Sequence, residues 1–330
     1  MLQQCEENMD IDQNRETTNL LRKELNALLE EEEAYWQQRS RVGWLKKCDK
    51  NTKFFHAYAN QRRRTNEIIM LWDEQGEQIT GDEGIEQVST DYFRNLFTTS
   101  NPSSIDSVVN SINQVVSPDM NEILLCPYTE EEVKIALFQM PPSKAPGPDG
   151  MSALFFQQYW HLLGSKITRA VLDCISSKRM LRSVNYTHIV LIPKVANPDC
   201  MSQFRPISLC NVLYKLISKV LTNRLKRVLP YVISDSQSAF VQGRLITDNV
   251  LLAFEALHYM KNKCKGGVTH LAAKLDMSKA YDRIEWNYLE AVMLKMGFDV
   301  RWVDLVMECV STTSFLILLN GFPKGHITPS

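Results

Sequence analysis

The chain has 330 residues, a hydrophobic fraction of 44% and a net charge of −1, which are typical of a globular protein with one or two domains. No apolar stretch approaches the length of a membrane span, and the N-terminus lacks the basic and apolar regions of a signal peptide. The eight cysteines form no C-x-x-C pair. They predict reduced thiols in an intracellular protein rather than a zinc site.

The small net charge hides a strong asymmetry along the chain. Residues 144–284 carry 20 Lys/Arg against 8 Asp/Glu, a balance of +12, whereas residues 1–143 have a balance of −11. A basic middle favours a phosphate-rich partner for that part of the chain. A solvated basic surface is the alternative interpretation.

The N-terminal third reads as mainly helical. Leucines at helical spacing predict a long helix over residues 17–47. Aromatic residues then precede the triplet Arg62-Arg63-Arg64, a combination that fits either nucleic-acid contact or an aromatic core with charged helix ends. Residues 68–80 predict a β-hairpin with Gly76 in the tight turn, and a helix is expected through Val88 to Phe97.

The next segments alternate between connectors and helices. Residues 100–119 read as a loose connector, and Thr129 with Glu132 forms a capping box for a helix reaching Met140. The Pro- and Gly-rich residues 141–150 are expected to form a fixed, exposed loop. An amphipathic helix over residues 154–167, a strand over 188–192 and a helix over 211–229 should follow.

The last part of the chain predicts a strand over residues 268–276, helices over 286–296 and 302–310, and a strand that enters the Asn320-Gly321 turn. We expect the return strand of that hairpin to be cut off at Ser330, which would leave the fold unfinished.

Asp276 is the leading candidate for chemistry. Nucleotidyl transfer needs metal ions beside the attacking and leaving oxygens, and Mg²⁺ prefers carboxylate oxygens. Asp276 is expected at the end of a strand, and Tyr281 follows it at a distance suited to packing beneath a nucleotide sugar. Alternatively, Asp276 caps a turn and Tyr281 belongs to the core.

Two further charges fit a triphosphate. Lys194 follows the strand ending in Leu191-Ile192-Pro193, and Arg205 lies in residues 204–209, which we interpret as a stiffened turn. Arginine offers a fixed fork of donors and lysine a point charge. Surface charges at strand ends are the alternative.

Five motifs in order resemble the reverse transcriptase domain of LINE-type non-LTR retrotransposons, over residues 144–330. They are Lys144-Ala145-Pro146-Gly147-Pro148-Asp149-Gly150, Leu191-Ile192-Pro193-Lys194, Phe204-Arg205-Pro206-Ile207-Ser208-Leu209, Ser236-Gln237-Ser238-Ala239-Phe240-Val241-Gln242-Gly243-Arg244 and the stretch from Leu275-Asp276 through Tyr281-Asp282. Residues 33–80 also resemble the linker between endonuclease and polymerase in plant elements.

The resemblance implies an α+β fold, with a helical N-terminal extension (residues 1–128) followed by the fingers and first part of the palm of a right-hand polymerase (residues 129–330). RNA template, DNA primer and deoxynucleoside triphosphates would be its partners, and two Mg²⁺ ions its cofactors. No membrane partner is expected.

The resemblance also implies a role for each candidate residue. Asp276 would be the first catalytic aspartate and a metal ligand, with the backbone carbonyl of Met277 beside the same metal. Tyr281 would select the sugar. Nucleotide binding would further involve Lys194 and Arg205, and template and primer contact would involve Gln237 and Arg244. Asp282 is read as a turn or helix cap.

The resembled family has further motifs that this sequence lacks. These are a Gln-Gly-containing segment, the paired aspartates that complete the metal site, a thumb, an endonuclease and a zinc knuckle. One carboxylate cannot hold two Mg²⁺ ions, so the missing C-terminal half would be needed for activity. A non-catalytic nucleic-acid-binding remnant and an intron-maturase-like protein are the alternatives.

Overall fold

The computed structural model describes residues 12–40, 52–263 and 270–330, and it combines helices with two small sheets. The first half contains helices and one β-hairpin: α1 (Asp12–Ser40), α2 (Thr52–Thr65), β1 (Met70–Trp72), β2 (Gln78–Thr80), α3 (Asp82–Phe97), α4 (Ile105–Val109), α5 (Pro118–Leu125), α6 (Glu130–Phe138), α7 (Ala153–Gln158) and α8 (Trp160–Ser177). The second half contains the larger sheet: β3 (Tyr186–Pro193), β4 (Phe204–Cys210), α9 (Val212–Val232), α10 (Ile246–Asn262), α11 (Trp286–Met296), α12 (Val300–Ser311), β5 (Ser314–Leu319) and β6 (Phe322–Ile327).

The first two helices pack against each other as a helical hairpin. The rings of Trp36 on α1 and His56 on α2 lie 3.5 Å apart between centroids, and Arg62 donates to the carbonyl of Ser40 at 3.2 Å. The helix predicted over residues 17–47 is therefore confirmed as far as Ser40, and residues 41–47 lie outside the described residues. Across the described helices, none is both long and apolar enough to cross a bilayer.

The larger sheet has the strand order β4-β3-β5-β6, in which β3 and β5 run parallel and the other neighbours are antiparallel. Residues 204–210 form a strand, so our interpretation of residues 204–209 as a turn is wrong. The interpretation relied on Pro206, because proline has no backbone N–H to donate to a neighbouring strand. It is tolerated here because β4 lies at the edge of the sheet.

The β5–β6 hairpin is complete, so the expectation that Ser330 cuts off its return strand is also wrong. Asn320 and Gly321 have φ angles of 51° and 94°, as the tight Asn-Gly turn requires. The amide side chain of Asn320 also pairs with the backbone of Ile68 through two hydrogen bonds, at 2.9 and 3.0 Å. Six residues after the turn are enough to form the return strand.

Two hydrophobic cores hold the described residues together. One lies among the helices, where α9 and α12 bury Leu216 and Trp302 to 1% and 0% exposure. The other joins the sheet to α3 and β1 through Ile317, Phe93 and Leu71. Each core draws residues from both sides of position 128. The domain boundary at that position stays a prediction.

Other expectations are confirmed, with adjustments. The hairpin around Gly76 and the capping box of Thr129 with Glu132 are present. The connector over residues 100–119 contains the short helix α4, and the helix expected over residues 154–167 is two helices, α7 and α8. Helix α10 was not predicted, and none of its residues is buried.

Candidate active site

Asp276 lies on a segment without helix or strand, which corrects the strand predicted over residues 268–276. Residues 268 and 269 lie outside the described residues, and residues 270–277 pair with no strand. Leu271 and Leu275 are 91% and 92% exposed. A strand persists only where its backbone N–H and C=O groups find partners. The four strands of the larger sheet give this segment none.

The carboxylate of Asp276 is exposed, and the adjoining Met277 is 69% exposed. Within the described ranges, no group of three or more His, Cys, Asp or Glu side chains is arranged to hold a metal ion. The residues present therefore do not fit a two-ion magnesium site, which needs more carboxylates than Asp276 supplies. The expected Mg²⁺ ions remain a prediction.

Tyr281 lines a cavity of about 920 Å³ between the turn at residues 278–285, the end of α3 and the first residues of β3. Its ring is 76% exposed and meets the ring of Phe240 edge-on, with centroids 5.9 Å apart. Phe240 has a φ angle of 64°, a conformation that is costly for a bulky residue. Tyr281 is thus an open cavity wall rather than a core residue, and its expected contact with a nucleotide sugar stays a prediction.

Lys279 and Asp282 line the same cavity and close the turn between them. The backbone N–H of Asp282 donates to the carbonyl of Lys279 at 3.0 Å, so the reading of Asp282 as a turn residue is confirmed. The ammonium of Lys279 lies 4.0 Å from the centre of the Tyr92 ring. Burial lowers the pKa of Lys279 and raises the pKa of Asp282.

Lys194 and Arg205 come together on one antiparallel hairpin. Arg205 is the partner of Ile192 in the β3–β4 register, and the N–H of Lys194 donates to the carbonyl of Gln203 at 2.8 Å. The Lys194 ammonium donates to the carbonyl of Ser202, also at 2.8 Å. Ser202 in the β3–β4 connection and Ser208 on β4 line the cavity that holds Tyr281. Because side chains alternate along a strand, Arg205 lies on the opposite face of β4 from Ser208, and neither Arg205 nor Lys194 is among the residues that line this cavity.

Gln237 and Arg244 build the loop that carries Phe240. The Arg244 guanidinium donates to the carbonyls of Ser234 and Gln237 and contacts Asp235 at 3.3 Å. The Gln237 amide donates to the carbonyl of Ala239 at 3.4 Å. Both side chains have partners within their own loop, which the sequence motif alone did not reveal.

Sequence reasoning missed the residue that organises the helical core, Arg224. Its guanidinium is 2% exposed, makes two 2.8 Å hydrogen bonds to the carboxylate of Glu132, and donates to the carbonyls of Leu124, Cys126 and Pro127. The missed signal was a charge on the buried face of a helix. Val220, Arg224 and Val228 follow each other at intervals of four on α9.

Comparison with known proteins finds a family that part of this chain matches. Residues 192–328, which include the end of β3, all of β4 and the Asp276–Tyr281 turn, match the family model described as reverse transcriptase (RNA-dependent DNA polymerase). Residues 192–328 form a reverse transcriptase domain.

The curated relatives of this reverse transcriptase domain come from mobile elements. The chain is 30% identical over 284 residues to the transposon TX1 uncharacterized 149 kDa protein of Xenopus laevis, covering 86% of this chain and 21% of that protein. It is 23% identical to the retrovirus-related Pol polyprotein from the type-2 retrotransposable element R2DM of Drosophila melanogaster, covering 74% of this chain and 22% of that protein. The chain is also 22% identical to the probable RNA-directed DNA polymerase from transposon BS of the same fly, covering 76% of this chain and 29% of that protein.

The chain thus spans between a fifth and a third of the length of these relatives. The names of these relatives describe proteins of transposons and of a retrotransposable element. The mixed helix and sheet architecture agrees with the expected α+β fold of a polymerase.

Proposed function

We propose that this chain supplies the fingers and the first part of the palm of an RNA-directed DNA polymerase, which copies RNA into DNA from the 3′-hydroxyl of a primer. One observation carries the proposal beyond the family match. The turn with Tyr281 and the β3–β4 hairpin, through Thr187 and Ser208, border one open cavity. Its substrates would be an RNA template, a DNA primer and deoxynucleoside triphosphates.

Each residue has a role in this proposal. Asp276, with the backbone carbonyl of Met277, would contribute to a metal site. The flat face of Tyr281 would pack beneath a deoxyribose and clash with a 2′-hydroxyl. The resemblance assigns triphosphate contact to the exposed Arg205 and the adjacent Lys194, which lie outside the lining of this cavity.

Gln237 and Arg244 would border template and primer indirectly in this proposal. Their polar groups already bond the backbone of residues 234–239, so they would fix the loop that presents Phe240. The base of a template or incoming nucleotide would meet the exposed ring of Phe240 rather than the Arg244 guanidinium.

The division into an extension (residues 1–128) and a reverse transcriptase part (residues 129–330) belongs to the same proposal, as does the plant-type linker over residues 33–80. We also infer that the 330-residue chain performs no synthesis alone, because Asp276 by itself cannot hold two metal ions. That single carboxylate, together with the basic balance of residues 144–284, favours one alternative: a nucleic-acid-binding protein without catalysis.

Primer extension separates the two functions. We define the BS chimera as the fly transposon BS polymerase in which residues 1–330 of this chain replace the matching stretch. The BS chimera should extend a DNA primer on an RNA template, whereas the 330-residue chain should bind the same hybrid without extending it. Extension by neither protein, with binding by both, would favour the binding function.

A further inference from the structure

The turn that follows Asp276 is fastened to the N-terminal extension at two points. At the first, the ammonium of Lys279 lies over the ring of Tyr92 on α3, 4.0 Å from its centre. At the second, the carboxylate of Glu285 accepts hydrogen bonds from the Thr99 hydroxyl at 2.5 Å, and from the N–H and hydroxyl of Ser100 at 3.0 and 2.7 Å. These bonds lower the pKa of Glu285.

The backbone of Lys279 needs such support. Its φ angle is 53°, in the left-handed region that side-chain-bearing residues rarely adopt. Conformations of this kind persist only where the surrounding structure holds them. Residues 270–277, which precede this turn, have no strand partner among the described residues, so the contacts to Tyr92, Thr99 and Ser100 fix the turn from outside.

Helix α3 is itself held firmly by the sheet. Phe93 is 1% exposed in the sheet core, and the rings of Phe97 and Phe315 lie 5.2 Å apart. Glu86 accepts a hydrogen bond from the N–H of Gly325 on β6 at 3.1 Å and pairs with Lys324. The helix can therefore transmit the position of the sheet to the turn.

We propose that Tyr92, Thr99 and Ser100 are positioning residues that hold the Asp276–Tyr281 turn in register with the nucleotide cavity. These residues precede the family match at residues 192–328, so part of the N-terminal extension belongs to the working polymerase. The inference rests on the proposed function. Tyr92 acts through Lys279 and makes no contact with the substrate itself. The face of its ring attracts the Lys279 ammonium and so holds the turn that carries Tyr281.

The first test uses the 330-residue chain and hydrogen exchange at residues 276–285. Tyr92→Leu removes the ring and should speed amide exchange there severalfold, whereas Tyr92→Phe keeps the ring face and should match the wild type. Phe93→Leu is the control, because it weakens the same helix without touching Lys279. Equal exchange rates in the Tyr92→Leu and wild-type chains would overturn the role of Tyr92 in holding the turn. So would equal loosening by Tyr92→Leu and Phe93→Leu.

The second test uses the BS chimera and compares ribonucleotide with deoxynucleotide incorporation. A displaced turn should carry Tyr281 out of place, so Tyr92→Leu should lower the discrimination severalfold and Tyr92→Phe should restore it. Lys279→Met should act like Tyr92→Leu, and Lys279→Arg should retain discrimination. Unchanged discrimination in both disruptive variants would overturn the positioning role.

The two tests also separate this inference from the proposed function. Faster exchange in Tyr92→Leu, with no synthesis by the wild-type chimera, would support the role of Tyr92 in holding the turn and would count against the polymerase assignment. Synthesis by the chimera, with no effect of Tyr92→Leu on exchange or discrimination, would support the polymerase assignment and remove Tyr92 from it.

Discussion

Gly147 lies against Asn211 so closely that a Cβ atom on the glycine would come within 2.5 Å of the asparagine backbone nitrogen. The Asn211 side chain accepts from the N–H of Asp149 at 3.2 Å and donates to the carbonyls of Ser183 and Val184. The loop over residues 144–150 is thus docked onto the start of α9 and the residues before β3. This contact gives a physical reason for a motif whose chemistry the sequence did not explain.

Gly147→Ala should therefore destabilise the chain. Backbone atoms cannot move aside as a flexible side chain can, so overpacking should cost about 1–3 kcal/mol. Urea unfolding at neutral pH measures this loss. The exposed Ser143→Ala in the same loop is the control and should stay within about 0.5 kcal/mol of the wild type. Equal stability of the two variants would show that the loop is not docked.

The buried Arg224–Glu132 pair should make stability depend on acid. The hydrogen bonds from Arg224 are the main cause that lowers the pKa of Glu132 below its ordinary value of 4.5. Because the carboxyl pKa is lower in the folded state, the stabilisation is complete above pH 4.5 and is lost as the pH falls through the folded pKa. Unfolding measured at pH 7 and at several pH values below 4.5 should show this loss.

Removing the arginine tests the same pair directly. Arg224→Met leaves Glu132 and three backbone carbonyls without their buried donor, which should cost about 3–5 kcal/mol at pH 7. The acid-dependent part of the loss should shrink in this variant. Arg227 lies three residues further along α9 and is exposed. Arg227→Met should therefore change the free energy of unfolding little. A wild-type acid profile in Arg224→Met would disprove the linkage.

Local features of this fold were predictable, whereas contacts between distant segments were not. The Asn320-Gly321 turn and the Thr129 capping box follow from the needs of a few neighbouring residues. The strand expected before Asp276 failed because strand formation depends on a pairing partner, which an apolar pattern cannot supply. The contact of Lys279 with Tyr92 joins segments far apart in the chain, so no local pattern indicates it.

The candidate site shows the same division. Lys194 and Arg205 lie near each other on one hairpin and Tyr281 lies at an open surface, while the roles expected for them stay predictions. The motifs did not reveal that Arg244 bonds its own loop, because a motif gives residue identity without hydrogen-bond partners. They also could not show that α3, outside the motifs, forms a wall of the cavity.

Sugar selection should depend on the ring of Tyr281. In the BS chimera, Tyr281→Val should raise ribonucleotide incorporation relative to deoxynucleotide by about tenfold, equivalent to about 1.4 kcal/mol, because the clash with the 2′-hydroxyl is removed. Tyr281→Phe keeps the ring and is the control. Competitive incorporation assays give the ratio, and an unchanged ratio in Tyr281→Val would exclude the gate.

Nucleic-acid binding by the 330-residue chain should be strongly salt-dependent. Each phosphate contact releases counterions, with a log–log slope of about −0.9 per phosphate on duplex DNA and about −0.7 on single strands. Replacing Lys194 and Arg205 by Gln should flatten the slope measured on an RNA–DNA hybrid. The matched replacement of Arg63 and Arg64 on α2 should matter less, since that helix end lies outside the reverse transcriptase match at residues 192–328. A reversed order of effects would move the binding surface to α2.

The central claim is that Asp276 belongs to the catalytic centre of an RNA-directed DNA polymerase. The most direct measurement is primer extension on an RNA template by the BS chimera carrying either Asp276→Ala or Asp173→Ala, the latter an exposed carboxylate on α8. We predict that Asp276→Ala abolishes synthesis while Asp173→Ala retains it. Full synthesis by the Asp276→Ala chimera would contradict the account.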